Sequence, residues 1–363
     1  PQVTATFDVF IDPNAKTINV EQLQVESPQI RIRKGTFRQT DQGNTTRLQG
    51  QLDAQWDWAA VGQAASAFVP GTIAMAGQRQ VAINFASTYP TDDPNGLLAH
   101  LNSQASLGFD RAEYMGLNFG PTEIDMQVQN GRMQVRPFST TVNNGKVSFA
   151  AEADLGRTPI LLKTPGPLQV AQGVQITEEM VKNFLRYVNP IFADAVGVSG
   201  IVNFETQSLT IPLAGGGKQL AQLAGTIGIP ELRLQASLLN KILSVIKESV
   251  RGEVLTLQPT KIALQNGVLR YDDMQIDAGD NPINFSGAIG LDGILDMTIL
   301  LPYTYEGRTV RIGEEDQRAK RISVPLTGSL DRPELNLQKL LEGQLRDQIL
   351  QRGLEELFKE LKR

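Results

Sequence analysis

A mainly β chain, built of antiparallel β-meander repeats with a few α-helices, is the fold that this sequence predicts. Three observations predict it. One pattern occurs twice: Gln129-Asn130-Gly131 is followed by Phe149, and Gln265-Asn266-Gly267 by Phe285, each Phe lying 20 positions after its Gln. Strict alternation of apolar and polar residues is the dominant period of the chain. Asn-Gly and Asp-Gly pairs separate the alternating runs, the strongest short-range signal for a hairpin.

The repeat extends beyond its core. Pro121-Thr122-Glu123-Ile124 corresponds to Pro259-Thr260-Lys261-Ile262, with two extra residues in the first copy. An insertion of two keeps every side chain on its own face of a strand, whereas an insertion of one would invert them all. Leu48-Gln49-Gly50-Gln51-Leu52-Asp53 echoes the same phrase near the start of the chain, where Phe285-Ser286-Gly287-Ala288-Ile289-Gly290-Leu291-Asp292 carries it downstream. Repetition of one supersecondary unit is a statement about architecture first.

Alternation places the strands. In 283–292 the odd positions are apolar or Gly, and Leu295, Met297, Ile299 and Leu301 continue that face after the Asp292-Gly293 turn. Val147, Phe149, Ala151, Ala153 and Leu155 follow Asn143-Asn144-Gly145 in the same manner. Ile124, Met126 and Val128 pair by pattern with Met133 and Val135 across Asn130-Gly131, as Ile262 and Leu264 do with Leu269 and Tyr271 across Asn266-Gly267. Similar runs occupy 4–11, Ile30/Ile32, 48–58, Val81/Ile83/Phe85, Leu209/Ile211/Leu213 and Ile322/Val324/Leu326.

Helical spacing appears in fewer places. Thr177-Glu178-Glu179 caps a segment with Met180, Val181, Phe184, Leu185 and Val188 on one face, ended or kinked by Pro190. Leu238, Leu239, Ile242, Leu243, Val245 and Ile246 make a second stripe, and 59–68 is a weaker candidate. From Leu337 to Leu361 a leucine stripe predicts a C-terminal amphipathic helix that covers the edge of the last strand. The predicted organisation is thus a β-rich segment over 1–115 that continues a repeat begun upstream, a first main repeat with a helix over 116–214, a second over 215–336 and the helix over 337–363. Gly215-Gly216-Gly217 marks the boundary between the main repeats.

Composition narrows the function. The chain has 363 residues, 41% hydrophobic and 20% charged, with a net charge of −5. That is ordinary globular material without a basic footprint, so nucleic acid is not an expected partner. There is no cysteine and a single histidine, His100, so zinc sites of the usual His/Cys type and thiolate chemistry are excluded. Gly217-Lys218 lacks the upstream glycine of a P-loop, and no Gly-x-Ser-x-Gly elbow occurs. Asp272, Asp273, Asp277 and Asp280 do not follow a calcium-loop spacing. Glu314-Glu315-Asp316 with Arg318, Lys320 and Arg321 reads as a solvated loop. No cofactor, metal or catalytic residue is expected. No apolar run approaches the length of a membrane-spanning helix. The chain opens on Pro1 and directly in a strand, which points to a signal, anchor or other segment upstream.

What remains is apolar surface in long stripes. Such stripes are either the core of a self-filled sheet or the floor of an open groove for acyl chains. Several phrases resemble the C-terminal region of AsmA-like proteins, a bacterial envelope family. They are 285–293 with Leu295-Asp296-Met297, the run Val324-Pro325-Leu326-Thr327-Gly328-Ser329-Leu330-Asp331-Arg332-Pro333, and Ser199-Gly200-Ile201-Val202 leading to 209–213. The likeness spans most of 121–363 and thins toward the N-terminus. It implies an elongated, curved β-groove in the periplasm, tethered to the inner membrane by a segment outside this chain. It also implies a non-catalytic role in carrying phospholipid, or another acyl-chain lipid, between membranes during outer-membrane biogenesis, in contact with membrane surfaces and envelope proteins. The groove floor is then expected at Phe149, Ala151, Ala153, Phe285, Ile289, Leu291, Leu295, Met297 and Ile299. A structural or assembly scaffold of the envelope, its sheet filled by its own side chains, is the alternative.

Overall fold

Alternating runs joined by tight turns fold locally into hairpins, and the computed structural model of the chain is accordingly mainly β with few helices. It describes residues 3–67, 71–214, 217–245, 254–279, 281–302, 304–305, 308–309 and 321–336. The expected C-terminal helix over 337–361, the acidic loop at 314–320 and Asp280 lie outside these residues.

The strands are β1 (Thr4–Asp12), β2 (Thr17–Glu26), β3 (Ile30–Gln42), β4 (Thr45–Asp57), β5 (Ile73–Ala76), β6 (Gln78–Pro90), β7 (Asn102–Phe109), β8 (Arg111–Tyr114), β9 (Leu117–Phe119), β10 (Thr122–Gln129), β11 (Arg132–Val142), β12 (Gly145–Asp154), β13 (Ile160–Lys163) and β14 (Leu168–Gln175). They continue with β15 (Val196–Ala214), β16 (Gln222–Gln235), β17 (Leu255–Gln265), β18 (Val268–Ala278), β19 (Asn281–Gly290), β20 (Leu295–Pro302), β21 (Thr304–Tyr305), β22 (Arg308–Thr309), β23 (Arg321–Ser329) and β24 (Arg332–Leu335). The chain forms two compact units: 1–180 with 202–225 and 264–266, and 181–201 with 226–263 and 267–363. The division does not run through Gly215-Gly216-Gly217; it cuts β15 and β16 along their length.

In the first unit β1, β2, β3, β4, β6, β7, β10, β11 and β12 follow one another, each antiparallel to the next. β12 then meets β13 and β14. A side ribbon of β5, β8 and β9 joins β11 at Phe119↔Val142. In the second unit β18, β19, β20, β23 and β24 form a meander in the same sense.

The repeat seen in the sequence is a repeat of register. β11–β12 pairs Arg132↔Asp154, Met133↔Ala153, Val135↔Ala151, Phe138↔Phe149 and Val142↔Gly145, with a bulge between Val135 and Phe138. β18–β19 pairs Val268↔Gly290, Leu269↔Ile289, Tyr271↔Gly287, Met274↔Phe285 and Ala278↔Asn281, with its bulge between Tyr271 and Met274. Adding 136, the offset from Gln129 to Gln265, to each number of the first set reproduces the second, bulge included. Phe149 and Phe285 therefore hold equivalent ladder positions. The cause is local: Asn130 (φ 47°) and Gly131 (φ 72°) match Asn266 (φ 52°) and Gly267 (φ 75°), the left-handed pair of a type I′ turn that suits the twist of a hairpin.

The helices depart from the sequence reading in detail. The segment from Glu178 is helical to Val188 but carries a π-helical turn at Val181–Leu185, and it stops at Asn189, whose backbone is extended (φ −149°, ψ 135°). Thr177 Oγ1 accepts from the Met180 N–H, the expected cap. After Asn189 only a 3₁₀ turn, Pro190–Phe192, follows. The turn widening explains why Phe184, expected on the apolar face, is exposed while Val181 and Leu185 are buried. The second expected helix is present as Ser237–Val245, with Leu238, Leu239, Ile242 and Leu243 buried. The weaker candidate is present as Trp58–Ala65, capped by the Asp57 carboxylate, and a single turn, Gly96–Ala99, ends at His100. Among the described residues no helix is long and apolar enough to cross a membrane.

Candidate apolar face

Residues directly opposite on an antiparallel ladder point to the same side of the sheet, so register can be followed from strand to strand. In the first unit the path runs Val20↔Phe37, Phe37↔Gly50, Gly50↔Phe85, Phe85↔Ser103, Ser103↔Val128, Val128↔Met133 and Met133↔Ala153. On that face stand Leu48, Leu52, Ala54, Val81, Ile83, Phe85, Ala105, Leu107, Ile124, Met126, Val128, Met133, Val135, Phe138, Phe149, Ala151 and Ala153. Leu52 faces Ile83, Ile124 faces Leu107, and Met126 faces Val135. The opposite face carries Arg47, Gln49, Gln51, Asp53, Gln80, Asn84, Gln104, Glu123, Asp125, Arg132 and Gln134. The sheet of this unit is amphipathic across eight strands, β2 to β12.

The apolar face of the first unit is only partly covered. Leu52, Ile83, Phe85, Leu107, Ile124, Met126, Val135, Phe138 and Phe149 are half-buried, shielded by their neighbours on the sheet. Ala151 and Ala153 are buried because they are short and lie between longer side chains. The helices that pack on these strands do so at their margins: Trp58–Ala65 against β5 and the end of β4, and Gly96–Ala99 against β6, where the Ser87 hydroxyl donates to the Leu97 carbonyl. Gly50 is a required gap in the middle of the face, since a Cβ there would lie 2.5 Å from Phe85 Cζ and 2.7 Å from Phe37 Cβ.

The second unit uses the same repeat differently. Phe285, Ile289, Leu295, Met297 and Ile299 lie on one face, with Phe285↔Ile299 and Ile289↔Leu295 paired across β19 and β20. All five are fully buried, as are Leu257, Met274, Ile276, Ile283, Val324 and Leu326. Val181, Leu185, Ile191, Phe192, Leu238, Leu239, Ile242 and Leu243 are buried in the same unit. The Arg186–Val188 turn packs on β19, the Asn189 amide lies 3.4 Å from Met274 Sδ, and Arg186 reaches Asp331 at 2.5 Å. This stripe is a closed core. Five of the nine residues expected to line a groove therefore sit where no acyl chain can reach them without unpacking the unit. A sixth, Leu291, is displaced: it lies in the turn after β19, exposed, with its N–H donating to the Gly267 carbonyl. Only Phe149, Ala151 and Ala153 belong to the partly covered face. Of its larger members, Leu52, Ile83, Phe85, Ile124, Met126 and Val135 were visible in the sequence as alternating strands, whereas Leu107 and Phe138 were not singled out; register was needed to bring them all onto one surface.

One polar group in the closed core is under strain of hydration. Tyr271 is buried, and its hydroxyl lies beside Asn189 without a well-formed hydrogen bond. Burial pushes that phenol above its ordinary range, so it stays neutral in the folded protein. The group leaves folding stability unaffected below about pH 10, where an unfolded tyrosine is also neutral, and lowers it as the pH rises past that value. Tyr271→Phe is expected to be neutral or slightly stabilising at pH 7, since it removes an unsatisfied hydroxyl. It should also reduce the alkaline loss, as measured by urea unfolding at pH 7 and pH 10.5.

Chemistry-bearing side chains are placed singly. Asp277 accepts from Gln258 and Gln275, and Asp273 from Asn284, whose carbonyl in turn accepts from Arg321 at 2.7 Å. Among the described residues no group of three or more His, Asp or Glu side chains could hold a metal ion. Hollows of about 320 and 560 Å³ in the first unit are lined largely by side chains of the polar face, among them Arg132, Glu152 and Lys163 in one and Thr36, Arg38 and Gln51 in the other. Comparison with protein-family models, with curated proteins and with solved structures finds no match for this chain.

Proposed function

We propose that the chain is a non-catalytic lipid-binding protein, and that the partly covered apolar face of its first unit is the floor of an open β-groove for acyl chains. One observation carries this reading: large apolar side chains occupy one face across eight neighbouring strands and are only partly buried, although the same repeat in the second unit is sealed. A contiguous apolar face left partly open to solvent ordinarily marks a binding or membrane-facing surface. Each methylene of an acyl chain removed from water by such a face contributes about 0.8 kcal/mol, so a long chain is held without any specific polar contact. The resemblance to AsmA-like envelope proteins supports the same reading, with phospholipid as the cargo, the periplasm as the compartment and transfer between membranes as the role. The closed core of the second unit favours a second reading, a structural or assembly scaffold of the envelope.

Native mass spectrometry of the purified chain separates the two, bound phospholipid being the expected result. Ile83→Asp sharpens the test. Ile83 is only partly buried, in the middle of the face opposite Leu52, so a carboxylate there keeps contact with water, and a loss of about 1–2 kcal/mol of stability is expected. Co-purified lipid should fall at least tenfold while the circular dichroism spectrum is retained. A wild-type chain without lipid, or a variant that unfolds, would count for the filled scaffold.

A further inference from the structure

The polar face of the first unit carries a row of its own. Directly opposite pairs run Thr36↔Gln51, Gln51↔Asn84, Asn84↔Gln104, Gln104↔Gln127, Gln127↔Gln134 and Gln134↔Glu152, so β3, β4, β6, β7, β10, β11 and β12 each place one side chain on one line. Gln51, Asn84, Gln104, Gln127 and Gln134 are consecutive on that line, all of them side-chain amides. Neighbouring strands lie about 4.8 Å apart, so the five span about 19 Å across the sheet. Four of them are exposed and Gln127 is half-buried.

A face that only has to be wet would be served as well by charged residues as by amides. Here charge is absent from the line between β3 and β11 and stands beside it. Lys34, Asp53, Asp125 and Arg136 lie two residues away on one side, Arg38 and Arg132 on the other. Several of these charges have protein partners: Asp53 accepts from Gln80, Arg136 reaches Asp125 at 4.0 Å, and at the β12 end Arg157 reaches Asp154 at 3.0 Å. The five amide groups have none among the described residues. On β6, Asn84 lies between Ala82 and Ala86, exposed short side chains that leave the line open. A hollow lies at each end of the row, about 560 Å³ with Thr36, Gln49 and Gln51 in its lining, and about 320 Å³ with Gln134 and Glu152.

We propose that this row binds an extended, uncharged glycan laid across the strands. Each amide offers two N–H donors and a carbonyl acceptor side by side, the combination that a pair of neighbouring sugar hydroxyls satisfies. One amide per strand gives a regular spacing, and each ring of an extended glycan advances by close to one such step. A polyanion is a poor occupant, because neutral amides give it no counter-charge and Asp53, Asp125 and Glu152 stand beside or on the line. A peptide finds its backbone hydrogen bonds along a sheet edge rather than across a face. Glycan recognition here is independent of what the apolar face binds, since the two lie on opposite sides of one sheet.

The test uses the full chain with cellohexaose and maltohexaose, glucose hexamers of one composition, the first extended and the second coiled, in ligand-observed NMR titrations. Cellohexaose should bind at least tenfold more tightly than maltohexaose. Gln104→Ala combined with Gln127→Ala should weaken cellohexaose at least tenfold, with the circular dichroism spectrum and any co-purified lipid as in the wild type. If that pair unfolds, the exposed Gln51→Ala with Gln134→Ala provides the same reading. No cellohexaose binding up to its solubility limit, equal binding of the two hexamers, or a folded double variant that binds as the wild type would overturn the proposal. Tighter binding of hexagalacturonate than of cellohexaose would do so too, because charge rather than the amides would then select the ligand.

Discussion

Ile289→Asp is expected to unfold the second unit. Ile289 is fully buried on β19, paired with Leu269 on one side and Leu295 on the other, with no polar side chain opposite it. The substitution removes a large apolar side chain from a packed core and replaces it with a group that must be buried charged or take up a proton. Each alternative is costly, and their combined penalty of about 4 kcal/mol or more is a large share of the stability of an ordinary domain. Circular dichroism should show a lost or strongly shifted thermal transition. A folded Ile289→Asp protein that merely lost bound lipid would mean that the second unit opens and that its stripe, like that of the first, is a surface. The contrast with Ile83→Asp is the sharpest one available: two isoleucines on alternating apolar faces, one sealed and one not.

Gly287→Ala is expected to cost about 2–4 kcal/mol, although its counterpart in the first repeat is already an alanine, Ala151. Gly287 has φ +125°, a conformation that side-chain-bearing residues rarely adopt, and a Cβ there would lie 2.3 Å from the Asp296 carbonyl oxygen and 2.7 Å from Met297 Cα. Both are backbone atoms of the adjacent strand, so no side chain can swing aside to relieve the overlap. β19 would have to move from β20. The reverse exchange, Ala151→Gly, should cost only about 1 kcal/mol, through backbone entropy and a lost methyl. Urea unfolding of the two variants measures the asymmetry; equal and small effects would show that the second repeat relaxes as freely as the first.

The hairpins were legible in the sequence because their determinants are local. Asn130-Gly131 and Asn266-Gly267 specify a turn type, the turn specifies register, and register with strict alternation decides which side chains share a face. That chain of causes needs no distant contact, and the matching registers of β11–β12 and β18–β19, bulge for bulge, follow from it. Helix existence was legible on the same grounds, from capping at Thr177 and the stripe beginning at Leu238. The break at Asn189 was legible too, because Pro190 disfavours helical backbone in the residue before it; the π turn at Val181–Leu185 was not. Nor could alternation say whether a stripe is covered. Phe149 and Phe285 sit in the same pattern, at the same distance from the same turn, yet one is only partly buried and the other sealed. The difference lies in what packs over them: helical segments close the face in the second unit, while in the first they meet the strands at the margins. An apolar side chain on a strand has the same local reasons to point inward in either case. Only tertiary packing supplies or withholds the second layer that removes it from water, and it is this that separates a core from a candidate binding face.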